Sequence, residues 1–315
     1  NMVSVIMITY NHELFIAQAI EGVVNQKTNF NFELVIGEDC STDNTSVICS
    51  DYAKRYPAII KLNINKENIG AKNNLMNCFE KASGKYIAFC EGDDFWTDSY
   101  KLHKQVNFME ANPDYGLVHG DVNHLFQKTG KLIKAYNKTN NIPIPSGEMF
   151  EFLMYPSHSI KTMTVCLRRD LLKKYFNEIA DPKYDFFYID IALWLGLSRL
   201  TKFYYMDEVL ATYRLIEESA SRSKNPMKTY NFHQTIHTIR DFYMNKYDCS
   251  NEVRLALQIN YYKSLLADAY NIMNPELSKK AHAFLKKEKI NLSAKEKIYY
   301  YLNYFLVLRF IRKVF

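Results

Sequence analysis

The stretch Lys85–Asp98, KYIAFCEGDDFWTD, decides how the rest of the chain is read. Tyr86 to Cys90 is a compact apolar run, the pattern of a short buried strand. Glu91, Asp93 and Asp94 follow it with only Gly92 between them. Like charges this close repel, and each loses hydration near a core, so something must offset both costs. A divalent cation, helix N-terminal amides or protonation of one acid would each do so. On an extended segment residues two apart share a side, so Glu91 and Asp93 are expected to point the same way. Two such carboxylates suit a hard cation, Mg²⁺ or Mn²⁺, bridging them to substrate phosphates. The competing reading is an acid capping the next helix, a role that suits Asp98.

Outward from that strand, the pattern repeats. Val3–Ile8 is a β-rich run ending at Thr9-Tyr10-Asn11, and apolar residues then recur at helical spacing to Gln26. Phe32–Ile36 is a second strand, ending at GEDCSTDNT; Ser41 or Asp43 can cap the helix that follows, which stops before Pro57. Ile59–Ile64 makes a third strand, and Ala71–Ala82 a helix closed by Gly84. Alternating strands and helices predict a largely parallel sheet covered on both faces, with ligands at the carboxyl ends of its strands. Those ends carry Thr9-Tyr10-Asn11, Glu38-Asp39 and the acids after Cys90.

Beyond the acids, Lys101–Ala111 is expected to be helical, and Gly116–Phe126 with Lys131–Tyr136 to form a hairpin around KTGK. Thr162–Leu167 is a further strand and Asp170 begins a helix. DIALWLGLSRL reads as an amphipathic helix with Asp190 at its start, and Met206–Leu215 as a strand. From Asn225 the pattern is helical, with breaks near Asn251, Pro275 and Asn291.

The composition narrows the chemistry. The 315 residues are 48% apolar and 23% charged, as in a soluble globular protein, with an unusual 15% aromatic content. Six scattered cysteines without a CxxC pair fit a reducing cytosol better than a disulfide framework or a zinc site. No signal peptide is recognised. Neither GxGxxG nor GxxxxGK[ST] occurs, so phosphates need a metal or side-chain cations rather than a nest of amides. The net charge of +6 sits in the C-terminal third, where 15 Lys and Arg face 7 Asp and Glu after residue 224. The closing EKIYYYLNYFLVLRFIRKVF is too short and too charged for a membrane span. It reads as a helix packed on the protein or lying at a membrane surface.

Four segments in order now carry a family resemblance: VSVIMITYNHELFIAQAIEGVVNQ, ELVIGEDCSTDNTSVI, NINKENIGAKNN and ASGKYIAFCEGDDFWTD. Together they resemble the successive motifs of glycosyltransferase family 2, closely over about residues 3–125 and more loosely over 160–222. The resemblance implies an α/β chain with the GT-A nucleotide-diphospho-sugar transferase fold, a Rossmann-like, mostly parallel sheet with flanking helices. Residues 1–224 are then the catalytic domain, with a donor half (1–115) and an acceptor half (116–224). Residues 225–315 form a helical, basic, aromatic C-terminal region.

The implied activity is inverting transfer of a sugar from a nucleoside diphosphate to an acceptor hydroxyl in glycan or cell-surface polysaccharide synthesis. Thr9, Tyr10 and Asn11, with Glu38 and Asp39, match the nucleotide-binding positions. Asp39 would accept the uracil imide N–H, which favours a UDP-linked donor. Asn68, Gly70 and Asn73 match the loop edging the donor, and Lys72 the basic residue approaching its phosphates. Asp93 would hold Mn²⁺ or Mg²⁺, Glu91 would face the ribose or support the metal, and Asp94 would touch the sugar or steady the loop. Asp190 in FFYIDIALWLGL takes the place of the base, with Asp185 as the alternative; Trp194, one turn on, would flank the acceptor sugar.

VLATYRLIEESASRS is similar to a closing motif whose histidine is Ile216 here. Contacts would fall to Tyr213, Ser219 and Ser221, with Arg214 or Arg222 on the leaving diphosphate. His119 and His158 read as structural. Expected partners are a nucleotide-sugar donor, a glycan or lipid-linked acceptor and, through the last helix, the inner face of the cell membrane, but no nucleic acid. A nucleotidyltransferase would show a glycine-rich basic loop after the first strand, which TYNHELF is not. A non-catalytic nucleotide-sugar-binding protein is favoured only by Ile216.

Overall fold

The computed structural model describes every residue except 156–158, 181–182, 185–189, 217–222 and 305–315. The chain forms two compact units, Asn1–Phe150 with Ile160–Ile216, and Glu151–Ser159 with Glu217–Phe315.

The first unit opens with β1 (Val3–Thr9), α1 (Ile16–Val24), β2 (Phe32–Glu38), α2 (Thr45–Arg55), β3 (Ile60–Ile64), α3 (Gly70–Lys81) and β4 (Tyr86–Phe89). These strands pair in parallel, in the order β3-β2-β1-β4. β1 and β4 are buried almost throughout, as a parallel strand covered on both faces must be. α1 contributes Ile16, Ala19, Ile20 and Val23, one stripe at helical spacing, to the core that also holds Val5, Met7 and Leu34.

Past β4 the expected parallel order ends. β5 (Phe95–Trp96), α4 (Lys101–Ala111), β6 (Tyr115–Phe126), β7 (Lys131–Ile133), α5 (Tyr136–Thr139) and α6 (Phe150–Met154) come next. They precede β8 (Cys166–Arg168), α7 (Arg169–Glu178), α8 (Asp190–Leu197) and β9 (Lys202–Leu215). β8 lies antiparallel between β4 and β6, β9 runs parallel to β6, and β5 closes antiparallel on β9. The sheet is therefore mixed. Three short strands run against the rest: β8, which joins two strands that themselves run the same way, β5 on β9, and β7 on β6. Thr162–Leu167 is not one strand: Thr162–Thr164 is a 3-10 turn, and β8 starts at Cys166. The β6–β7 hairpin is present, but its second arm ends at Ile133, short of the expected Tyr136, which opens α5.

α8 is not amphipathic. Every residue from Ile191 to Leu197 is buried and only Asp190 is exposed. A helix apolar all round belongs inside a core, and this one has a single polar tip.

The second unit is helical: α9 (Pro226–Lys246), α10 (Asn251–Asn271), α11 (Pro275–Lys287) and α12 (Ala294–Tyr304). The sequence breaks mark its turns. Asn225, Ser250 and Asn274 cap three of these helices through their side-chain oxygens, and Pro226 and Pro275 occupy first helical positions. Leu265, Leu266, Ala281 and Leu285 form its buried centre. Among the described residues no helix is long and apolar enough to cross a membrane. The last eleven residues, on which the membrane-surface reading rests most heavily, lie outside the described ones.

Candidate active site

Three strand ends converge at the carboxyl edge of the sheet. At the end of β1, Thr9 is buried and its Oγ1 lies 3.1 Å from His12 Nδ1, while Tyr10 is 41% exposed. Asn11 adopts φ +56°, a left-handed conformation that asparagine tolerates. Its N–H donates to Ser41 Oγ at 2.9 Å, and its Oδ1 accepts from Thr42 N–H at 2.9 Å. Asn11 thus ties the loop after β1 to the loop after β2.

At the end of β2, Glu38 is fully buried; its Oε1 accepts from Ser41 N–H at 2.8 Å and its Oε2 has no partner. Asp39 is 3% exposed and closely engaged. Its Oδ1 accepts from Asn65 Nδ2 and Ile69 N–H, and its Oδ2 from Gly70 N–H, each at 2.9 Å. Two of those donors are unpaired amides at the start of α3, so Asp39 serves as a distant cap. This differs from the expectation of a carboxylate turned to a base. Asn68 Oδ1 adds a second acceptor for Gly70 N–H at 3.2 Å, and Asn73 Nδ2 bonds Ile69 O.

At the end of β4 the acids form a turn rather than an extended segment, with Asp94 N–H donating to Glu91 O at 3.1 Å. The alternation that would align Glu91 with Asp93 does not apply there. Gly92 is required: a Cβ on it would lie 2.6 Å from Thr9 Oγ1 and 2.9 Å from His12 Nδ1, so the turn rests directly on the end of β1. The three acids have different surroundings. Asp94 is buried and accepts from Arg214 N–H at 2.6 Å, which makes it a loop anchor rather than a contact for a sugar. Asp93 is half-buried, close enough to His12 for its charge to oppose the loss of basicity that burial imposes on that imidazole. Glu91 lines a cavity, its Oε2 buried without a partner. Burial pushes its carboxyl up to about 8, and the charges of Asp93 and Asp190 push the same way.

That cavity, about 270 Å³, also receives Asp190, Lys72, Thr162 and Trp194. Asp190 stands at the first position of α8, its Oδ1 accepting from Ile191 N–H at 2.6 Å. Trp194 is 1% exposed and packs edge-on against Phe89 with ring centroids 6.1 Å apart. It is part of the wall and not an exposed platform for an acceptor ring.

Arg214, expected on a diphosphate, is instead a buried strut. It donates from Nε to Asp93 O, from Nη1 to Gln127 Oε1 and from Nη2 to Gln18 Oε1, and its guanidinium faces the rings of Phe15 and Phe95. Arg222, Ser219, Ser221, Asp185 and His158 lie outside the described residues. His119 is buried in β6, its imidazole pushed down to about 3 by burial.

Sequence reasoning missed His12. Its signal was its place in TYNH, three residues beyond a buried strand end and opposite the acidic turn.

Among the described residues no three His, Cys, Asp or Glu side chains are grouped to hold a metal. Mg²⁺ and Mn²⁺ on phosphate substrates commonly need only one or two carboxylates, the substrate supplying the rest. Asp93 and the unpartnered Glu91 Oε2 fit that smaller requirement.

A family model described as glycosyl transferase family 2 matches residues 4–176. TuaG of Bacillus subtilis, a putative teichuronic acid biosynthesis glycosyltransferase, is 31% identical over 227 residues, covering 71% of this chain and 82% of its own. Other matches are more local. The stretch shared with mycobacterial proteins such as Mb1547 of Mycobacterium bovis is 41% identical over 111 residues and spans 32% of their length. In three dimensions the chain is similar to S. aureus TarS 1–349 in complex with UDP-GlcNAc, with a TM-score of 0.56, 17% identity, and coverage of 99% and 92% of the two chains. It is also similar to the mannosyltransferase PcManGT of Pyrobaculum calidifontis with GDP-Man and Mn²⁺, with a TM-score of 0.60, 15% identity, and coverage of 99% and 87%.

Proposed function

The chain belongs to glycosyl transferase family 2, and we propose that it transfers a sugar from a UDP-linked donor to an acceptor hydroxyl in glycan or cell-surface polysaccharide synthesis. One observation carries this reading. Asp190, the only exposed residue of an otherwise buried helix, shares a cavity with Glu91, from the turn that also bears Asp93. A base and a donor-side acid thus face one volume, as a single displacement requires.

In this scheme the donor half is residues 1–115 and the acceptor half 116–224. The nucleotide lies along the ends of β1 and β2, with Thr9, Tyr10 and Glu38 beside it. Asn11, Asp39 and Asn68 act at one remove by fixing the loops, and Lys72 lies on the phosphate side. Asp93, with Glu91, would hold Mn²⁺ or Mg²⁺, which when bound stabilises the charge growing on the leaving diphosphate. Asp190 accepts the proton of the attacking hydroxyl. Its bond to Ile191 N–H fixes the carboxylate at the helix tip. Attack from the side opposite the diphosphate inverts the anomeric carbon.

A donor screen tests the scheme: thermal shift with Mn²⁺ and a panel of nucleoside diphosphates and their sugars. Metal-dependent stabilisation by UDP and not by GDP is the expected result. Asp93→Asn should remove the metal dependence. Stabilisation by GDP alone would reject the uridine assignment, and stabilisation by neither would reject the nucleotide site.

A further inference from the structure

The helical unit has a pocket of its own, about 210 Å³, formed by α11, the loop after it and α12. Its charge is one-sided. His282 and Lys286, one turn apart on α11, and Lys297 on α12 line it, and none of its lining residues is acidic. Neither lysine has an ion-pair partner among the described residues. Glu296, the acid next to Lys297, is committed elsewhere. Its Oε1 pairs with Lys263 Nζ at 3.4 Å and its Oε2 accepts from Ser293 N–H at 2.7 Å. Residues 305–315, which follow α12, add Arg309, Arg312 and Lys313 and no acidic side chain. The crowding is felt at His282, whose imidazole loses basicity first through burial and then through the Lys286 charge.

The rest of the lining is apolar, from Ile290, Leu292 and the rings of Tyr300 and Tyr301. His282 stacks on Tyr300 with ring centroids 3.9 Å apart and planes 13° apart, which gives the pocket a flat aromatic side. Past it, Ile298 and Tyr301, three apart on α12, are each 52% exposed. A bare anion would meet the cations and leave this apolar surface wet. A neutral hydrophobe would cover the surface and leave like charges facing one another. An anion carrying a short carbon chain answers both. Phosphate suits the charged part, because its three acceptor oxygens can serve two ammonium groups and an imidazole N–H together, whereas a carboxylate has two. The volume, roughly seven water molecules' worth, admits a phosphate and a few carbons.

We infer that this pocket binds the phosphate of a phosphate ester whose carbon chain lies against Ile290, Leu292 and the tyrosine rings. It is a second site on the chain and does not rest on the transferase reading. A soluble ester and a lipid headgroup share this chemistry, and the test separates them.

Inorganic phosphate and butyl phosphate are titrated into the full chain by calorimetry at neutral pH. Flotation with vesicles of phosphatidylcholine, with and without phosphatidic acid, is the membrane arm. Butyl phosphate is expected to bind about tenfold or more tightly than inorganic phosphate, since each buried methylene adds to affinity. Lys286→Gln and Lys297→Gln should each weaken it about fivefold or more. Lys287→Gln and Lys295→Gln remove the same charge from the same two helices outside the pocket, and should change it by less than about twofold. Capture by phosphatidic acid vesicles that needs Lys286 and Lys297 identifies the ester as a lipid headgroup. Butyl phosphate bound in this way without vesicle capture identifies a soluble one. Equal weakening by all four changes would mean diffuse surface attraction and overturn the pocket. Binding untouched by Lys286→Gln and Lys297→Gln, binding no tighter than that of inorganic phosphate, or no binding at all would overturn it as well.

Discussion

The acids at the strand ends fall into two groups. Asp39 and Asp94 are buried and bonded to the chain's own amides, Asp39 to three donors across the loop before α3 and Asp94 to Arg214 N–H. Glu91, three residues before Asp94, has a buried oxygen bonded to nothing, in a cavity it shares with the exposed Asp190. A satisfied carboxylate builds the site; an unsatisfied one waits for something outside the chain, because leaving it unpaired costs stability that folding alone would not sustain. Scaffold and chemistry thus alternate within a few residues. Each can be tested by whether a substitution is felt in activity or in folding.

The largest effect is expected at Asp190. Asp190→Asn keeps size and polarity but cannot take a proton, so kcat should fall about 10²–10⁴-fold. Donor affinity, read by titration with nucleotide, should stay within about twofold, and unfolding by urea should be unchanged within about 0.5 kcal/mol. Full transfer by this variant would remove the base from the scheme.

Asp39 should answer in the opposite way. Asn in its place offers one acceptor oxygen and turns an N–H₂ toward groups that already donate. Asp39→Asn is therefore expected to lower stability by about 2–4 kcal/mol in urea unfolding. A variant of unchanged stability with weakened nucleotide binding would return Asp39 to the base-reading role the family resemblance implies.

This contrast also marks what the sequence could show. The strands and helices through β4 are legible because periodicity and punctuation agree there: apolar runs of five or six residues, each closed by polar loops. The three helix starts at Asn225, Ser250 and Asn274 are legible for the same reason. β8 is not, because three residues leave too short a pattern to show direction, and its pairing with β4 comes from residues about eighty positions away. Among the site residues the acids are visible as acids, and Asp190 as the polar residue opening an apolar run. Which acid is saturated is invisible, since the donors to Asp39 come from residues 65–70 and the donor to Asp94 from residue 214. The same holds for Arg214. A lone arginine in a strand suggests a surface cation, and only the fold brings Gln18, Gln127 and two phenylalanine rings around it.

Arg214→Lys tests that strut. Lysine keeps the charge but loses the planar fork that reaches three acceptors at once, and a loss of about 1–3 kcal/mol is expected. The KM for the donor should change little at temperatures where the variant is folded. Stability retained with a raised KM would instead place the guanidinium on the diphosphate.

The most direct probe of the unsatisfied group is the pH dependence at Glu91 in the ligand-free protein. Its carboxyl is pushed up to about 8, first by burial and then by Asp93 and Asp190. A carboxyl whose folded pKa lies above its unfolded value binds its proton more tightly in the native state. That contribution is complete below about pH 4.5 and is lost as pH rises through 8. Stability should thus decline across this window. Glu91→Gln, neutral at every pH, should flatten the decline and be more stable than the parent by about 4–5 kcal/mol at pH 8.5, with a difference of about 1 kcal/mol at pH 5. The wild-type protein should recover that difference when a ligand supplies the missing partner, since binding to the native state alone adds stability. A parent and variant with parallel pH profiles would mean that Glu91 is already satisfied, and the distinction between the two kinds of acid would then fail at the residue that defines it.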